Sequence, residues 1–314
     1  MGRYIVQRLL SAIPVLLIVT LISFSIMQLV PGDPATVMAG PQATAAEIDR
    51  MRVQLGLDKP FLYQLGHWLL GLTRGDLGQS ILLGRGVSQA IGERLPITLT
   101  LALFSFILTL IIGIPAGMIA ALRQNTWIDQ AVMTVALIGV SLPNFWMGLM
   151  LIILFSVMLD LMPAGGYVTL AQGYWPWFKS LILPSLSLGL LQMGLLARIT
   201  RSTMLEILRQ DYIRTARAKG LTSMKVVGKH ALKNALIPIV TVIGIIFSLL
   251  LTGSVVIETV YSLPGLGRLL ATSIFSRDYP VIQGGLLLTA SMFVGVNLLV
   301  DVLYAFLDPR VRYD

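Results

Sequence analysis

The sequence predicts an all-α polytopic membrane protein with six transmembrane helices, and three observations lead there. The chain is more apolar than a soluble fold requires: 56% of its 314 residues are hydrophobic, 12% are charged, and mean hydropathy is +0.83. Six apolar stretches, at about 9–30, 97–122, 131–159, 181–199, 237–257 and 282–307, each reach roughly the ~20 residues a helix needs to cross a bilayer. Barrel-type alternation is absent, and helices satisfy their own backbone groups where lipid cannot. Finally, the charges separate by side. With both termini inside, the inner segments hold 14 basic and five acidic residues, the outer segments nine of each, and Asp301 falls within the last span. The net charge of +8 is therefore a signature of topology, and nucleic-acid binding need not be invoked.

The opening MGRYIVQRLLSAIPVLLIVTLISFSIMQLV places Arg3 and Arg8 before an apolar run that is too long for a signal-peptide core. It reads as a retained first helix that tolerates Pro14. An outer segment, 31–96, comes next. PGDPA opens it, 43–55 is Ala-rich and helical, and LGLDKPFLYQLGHWLLGLTRGDLGQSI carries turn signals. Phe61, Leu62, Tyr63 and Trp68 read as an interfacial aromatic belt. The second span carries GIPAG, whose Gly and Pro either loosen the helix or let neighbouring helices approach closely. The third carries SLPNFWMG, where Pro143 predicts a kink and Asn144 puts a polar group inside the bilayer. Asn144 reads either as a helix–helix hydrogen-bonding residue or as lining for a pathway. In the outer loop 160–180, Trp175 and Trp177 suit interfacial anchoring or contact with an outside protein. The fourth span sets Gln192 on an apolar ground, a second candidate for pathway lining, and Arg198 and Arg201 mark its inner end.

The inner loop 200–236 has the most patterned polar sequence in the chain, DYIRTARAKGLTSMKVVGKHALKNALIP. Asp211 is positioned to cap a short helix. Tyr212, Ile213 and Ala216 share one face with Arg214 and Arg217 beside it, and Gly220 is a stop because it adopts the left-handed conformation cheaply. Thr222 or Ser223 starts a second helix towards Asn234, and Pro238 sits near the start of the next apolar run. From the residues alone, two readings stand: a solvated loop that sets topology and holds anionic lipid, and a helix–glycine–helix element that docks into a cleft on a soluble partner. Beyond the fifth span, PGLGRLL predicts a turn and a short amphipathic helix and DYPVIQG leads into the sixth. Asp301 there is placed to snorkel or to pair with a basic loop residue.

Several chemistries have no support. There is no cysteine, and the two histidines, His67 and His230, are far apart. No phosphate-binding G-x-x-x-x-G-K-[ST] loop, HExxH or GxSxG is present. No catalytic, cofactor-binding or metal-ligating residue is therefore nominated, and any driving energy comes from a partner or an ion gradient.

RTARAKGL followed by HALKNALIP resembles the cytoplasmic coupling loop, or "EAA" loop, of ABC-importer permeases, and more narrowly that of the dipeptide/oligopeptide/nickel permease family. Against the general pattern of Glu-Ala-Ala, three residues, then Gly, this chain has Arg214, Thr215, Ala216 and Gly220, with the Glu and first Ala replaced. The RYIVQRLL start, PGDPA, GDLGQS, ETVYSLPGLG and the DPRVR tail extend the resemblance over nearly the whole chain. It implies a single permease domain, 1–314, with the type I ABC-importer bundle in a bacterial cytoplasmic membrane. It also implies Arg214, Thr215, Ala216, Arg217, Ala218, Lys219, Gly220 and Leu221 as the ATPase-coupling element. The implied partners are a second homologous permease, one or two ATP-hydrolysing subunits and an extracytoplasmic substrate-binding protein, with no cofactor in this chain. The implied cargo is dipeptides or oligopeptides, with glutathione, opines or nickel chelates as alternatives. From another class, an ion-coupled carrier working alone would call for internal repeats and mid-membrane charges, of which the sequence shows little.

Overall fold

The computed structural model describes residues 2–29, 34–40, 42–54, 56–80 and 82–307. Part of PGDPA and the DPRVR tail lie outside these residues, as does the side chain of Asp301. Among the described residues the fold is helical, with one isolated antiparallel bridge between Gln79 and Gly86. The helices are α1 (Gly2–Leu29), α2 (Pro34–Ala39), α3 (Ala45–Gln54), α4 (Phe61–Thr73), α5 (Val87–Leu122), α6 (Trp127–Ser141), α7 (Asn144–Leu151), α8 (Tyr174–Leu208), α9 (Asp211–Ala218), α10 (Ser223–Lys225), α11 (Lys233–Val260), α12 (Leu266–Ser276) and α13 (Tyr279–Leu307). Two wide, π-helical stretches extend them: Ile152–Met158 after α7, and Val226–Leu232 between α10 and α11. Helices α5 and α8, and the parts Pro238–Val260 of α11 and Tyr279–Val300 of α13, are long and apolar enough to cross a membrane. Helices α6 and α7 together make a fifth, bent candidate, and Leu9–Ser25 is the apolar body of α1.

The apolar stretch 131–159 is not one straight helix. Its limbs Trp127–Ser141 and Asn144–Met158 meet at 108°. Pro143 causes the break, because its ring disfavours the helical region for the residue before it and it has no N–H to continue the ladder. Leu142 and Pro143 are accordingly both extended, with ψ of 135° and 137°.

The chain divides into two compact units. One comprises 98–264 and the chain from 295 onward. Its framework is a set of close helix crossings on α8. A Cβ at Gly117 would collide with the Ala197 carbonyl oxygen, and one at Gly194 would stand 2.5 Å from that of Ala136. Glycine at these points brings backbones together as small residues do between membrane helices, so α8 packs on α5 and α6 with almost no side chain between. At the far end of α11, buried Tyr261 joins three further segments. Its hydroxyl lies 2.8 Å from Ser187 Oγ and donates to the Gly148 carbonyl at 3.1 Å, while its own carbonyl accepts from the Gly166 N–H at 2.8 Å. Thr98 Oγ1 donates to the fully buried Glu258 carboxylate at 2.7 Å.

The other unit comprises 2–97 and 265–294. Its core is Val87, Ala90 and Ile91 against Leu266, Leu269, Leu270 and Val281, with Leu77 beside them. Asp278 accepts from Ser80 Oγ at 2.5 Å and from the Leu82 N–H at 3.3 Å, which binds the GDLGQS turn to the start of α13. Phe61 and Trp68 are half-buried rather than exposed. Both rings pack on Phe24 of α1, with centroids 5.4 and 5.5 Å away, whereas Leu62 and Tyr63 are exposed. Outside the membrane-sized helices, α3 opens with a capping box. Thr44 donates its N–H and its hydroxyl to Glu47, each at 2.8 Å, and the Glu47 N–H returns to Thr44 Oγ1 at 3.4 Å.

Candidate functional site

Between α8 and α11 the chain leaves the apolar framework for α9, a Gly turn and α10. α9 is an eight-residue helix, too short to persist alone in water, so its shape comes from its two ends and its underside. Ile213 and Ala216 are buried, three residues apart and hence on one face. That face packs against the 226–232 stretch, where Val226 and Ala231 are buried. Tyr212 adds a polar tie, its hydroxyl accepting from Asn234 Nδ2 at 3.1 Å, while the same amide also reaches the His230 carbonyl at 2.8 Å.

The N-terminal end differs from expectation. Gln210, not Asp211, occupies the capping position, and no side chain caps the helix. Asp211 is the first helical residue, exposed, and favourable there through the helix dipole. Its contact with Arg214 is long, 3.5 Å, between two side chains that are both mostly in solvent, and contributes little.

The C-terminal end is closed tightly. Gly220 has φ +78°. Its N–H donates to the Arg217 carbonyl at 2.9 Å and the Leu221 N–H to that of Ala216 at 3.4 Å. These two bonds form the Schellman motif, which requires a left-handed residue at the position of Gly220. The chain turns sharply there, Thr222 is extended, and α10 begins.

The structure thus brings the eight expected residues into one exposed ridge. Arg214, Thr215, Arg217, Ala218, Lys219, Gly220 and Leu221 face solvent, and only Ala216 is turned inward. Lys225, Lys229 and Lys233 are exposed on the following turns, as is Met224. A ridge of this kind is basic and carries apolar points at Tyr212, Leu221 and Met224. Chemically it can bind a groove with acidic walls and apolar pockets, and no group on it is arranged for covalent chemistry.

The two candidate lining residues lie apart from this ridge. Asn144 is half-buried at the first position of α7, just past the break. Gln192 is buried in α8, and its carbonyl oxygen has no hydrogen-bond partner, an arrangement that buried polar atoms rarely tolerate. No hydrogen bond joins the two.

One constellation was not anticipated from sequence. Arg201 of α8 grips Asp129 of α6 as a two-pronged fork, Nε to Oδ1 at 2.6 Å and Nη2 to Oδ2 at 2.7 Å. The Asn125 N–H, in a left-handed turn residue with φ 62°, adds a third bond to Asp129 at 3.0 Å. Asp129 is 3% exposed. The available signal was an acidic residue at the head of one apolar helix and an arginine near the basic end of another.

Residues 113–313 match the family described as the binding-protein-dependent transport system inner membrane component. Residues 1–102 match the N-terminal region described for such membrane components. A putative peptide transport system permease protein of Brucella abortus (strain 2308) is 52% identical over 314 residues, covering 100% of both chains. A glutathione transport system permease protein of Escherichia coli is 45% identical over 313 residues, and a dipeptide transport system permease protein of Alkalihalophilus pseudofirmus is 43% identical over 333 residues, each again covering 100% of both chains. Among solved structures, an inward-facing form of the MetNI methionine ABC transporter shares the fold at TM-score 0.60 and 20% identity, covering 70% of this chain and 97% of that one.

Proposed function

As the chain belongs to the family of binding-protein-dependent transport system inner membrane components, we propose that it is the permease subunit of an ATP-driven importer of short peptides. The observation that carries the cargo is the end-to-end match at 52% identity with a peptide transport permease. The dipeptide and glutathione relatives, at 43% and 45% identity, are almost equally similar, and glutathione is itself a tripeptide. The class is therefore small peptides rather than one of them.

In this reading the ridge 211–221 is cytoplasmic, as are both termini, in accord with the basic excess on that side. It seats in a groove of an ATP-hydrolysing subunit, of which the complex holds one or two kinds. A second homologous permease completes the pathway, and an extracytoplasmic binding protein delivers the peptide. The chain itself hydrolyses nothing and needs no cofactor. When ATP closes the ATPase pair, α9, held rigid by its Schellman turn and by Ile213 and Ala216, acts as a lever that carries the spans between inward- and outward-facing states. Coupling demands that the ATPase states bind this ridge with different affinities. Asn144 and the unpartnered Gln192 carbonyl are the side chains proposed to meet the passing peptide's polar backbone.

The test is isolation of the tagged chain from its native membrane, followed by uptake of labelled dipeptide, tripeptide and glutathione into vesicles holding the recovered complex. Recovery of a second permease and ATPases, with uptake strictly requiring ATP, is the expected result. Recovery of the chain alone, with transport intact in ATP-free vesicles, would establish an ion-coupled carrier instead.

A further inference from the structure

We propose that the Asp129–Arg201 pair is a brace that fixes the first limb of the broken third span to the helix carrying the basic ridge, so that the two move as one body. This rests on the reading of that ridge as the ATPase-docking lever.

The geometry begins with the α6–α8 seam. A Cβ at Gly139 would meet the Leu190 carbonyl at 3.3 Å, one at Gly194 would meet the Ala136 carbonyl at 2.5 Å, and Asp129 meets Arg201 through two bonds. Along α6 the contacts step from 139 to 136 to 129 while along α8 they step from 190 to 194 to 201. The helices therefore run antiparallel in one continuous register. At the first two levels the backbones approach closely, with only apolar contact beside them, Leu190 Cγ 3.5 Å from a Cβ at Gly139 and Val140 Cγ2 3.1 Å from one at Gly194. Apolar contacts carry no direction of their own, and packed helices shift past one another by small shear movements. The ion pair is the polar contact at the end of the seam, and it is directional. An Arg fork on a carboxylate fixes both distance and orientation, and the Asn125 N–H holds the carboxylate from the other side.

Position gives the brace its role. Arg201 stands seven residues before the end of α8 at Leu208, about 10 Å along the axis, and α9 begins at Asp211. A displacement of α9 thus reaches α6 through Arg201 before it reaches the break at Pro143. A residue needed only to mark the inner side of a span would leave its charge in solvent. Arg201 instead commits it to a carboxylate that is 3% exposed.

The test uses the whole complex in proteoliposomes, comparing the unaltered chain with Asp129→Asn, Arg201→Gln and the double variant. Two readouts are taken: ATP hydrolysed per peptide imported, and the distance between spin labels at Gln124→Cys and Lys219→Cys in a chain that has no cysteine of its own. In the unaltered chain the label distance stays constant through the nucleotide cycle. Asp129→Asn is expected to make it nucleotide-dependent and to raise ATP consumed per peptide by about tenfold, within the usual range of coupling between sites. The double variant, whose two amides can bond each other, recovers part of the loss. If Asp129→Asn does not assemble, Arg201→Lys, which keeps the charge but not the fork, carries the same comparison. An unchanged ATP ratio and label distance, even in a less abundant or lower-melting complex, would show the pair to be a structural staple and overturn the brace. Failure of the underlying reading is distinct: Arg217→Glu would then still co-purify with the ATPase.

Discussion

Gly220 offers the sharpest test of the ridge, because two explanations of its presence predict different results. Its φ of +78° lies where a side chain is strained, yet a Cβ there would meet no atom within 4 Å. The cost of substitution in this chain is therefore conformational rather than steric. Forcing a residue with a Cβ into that region costs about 1–2 kcal/mol, with valine at the upper end. If the backbone refuses, the bonds from the Gly220 and Leu221 N–H groups are lost and α9 frays. A cost of about 2 kcal/mol lowers the fraction of closed turns by roughly 30-fold relative to open ones, and apparent affinity for the ATPase falls with the docking-competent fraction. Asparagine tolerates the left-handed region far better. Titrating purified ATPase against the permease in nanodiscs should give Gly220→Val a weaker Kd, by at most about 30-fold and by less the more firmly the turn is closed to begin with, and Gly220→Asn one closer to that of the unaltered chain. Equal impairment by both would show that the groove excludes any Cβ, and no impairment by either would refute the Schellman turn as a determinant of docking.

Gly220→Pro should abolish uptake while leaving membrane insertion intact, since proline has neither the N–H nor the φ this turn uses; normal uptake counts against the lever. Arg217→Glu should weaken ATPase binding at least tenfold, and the effect should shrink with added salt as exposed charges are screened, which pull-downs at two ionic strengths will show. Gly117→Val puts atoms where the Ala197 carbonyl already stands and should destabilise the chain by about 1–3 kcal/mol, visible as a lower melting temperature in detergent; an unchanged value would mean that α5 and α8 do not cross backbone to backbone. Glu47 is held below the usual carboxylate range first by the Thr44 N–H and then by its hydroxyl. The support it gives α3 is thus complete above that range and is lost as pH falls through the lowered value. Amide protection in 45–54, taken relative to the intrinsic exchange rate at each pH, should fall at low pH in the unaltered chain and be insensitive to that titration in Glu47→Gln.

Fold class and the ridge were legible because each rests on local chemistry. Apolar run length dictates a span, and the spacing of Ile213, Ala216 and Gly220 dictates a one-faced helix with a stop. Pro143 announced trouble in the third stretch, but the size of the bend depends on what the second limb packs against, and Tyr261 is far away in sequence. The packing of Phe61 and Trp68 was not legible because their partner, Phe24, sits on another helix. Asp211 looked like a cap although Gln210 occupies the capping position and Asp211 begins the helix. The Asp129–Arg201 fork is not legible locally for the same reason as the Tyr261 contacts. Pairing across 72 residues is a property of helix register, which composition and periodicity do not encode.

The wide turn at Val226–Leu232 sets a phase. Beyond it the buried stripe of α11 runs Ala235, Ile239, Ile246, Leu250 and Ile257, repeating by four and seven. A π-type turn carries one residue more than an ordinary one, and each added residue rotates the downstream helix by about 100°. The stripe's bearing relative to the ridge is therefore fixed by a single count of residues in this turn. Deleting one, at exposed Gly228 for example, would turn Ala231, Asn234 and the whole apolar stripe of α11 by that angle relative to Val226, so that α9 could keep its seat on one side of the deletion only. The segment works as an angular gauge as well as a connection.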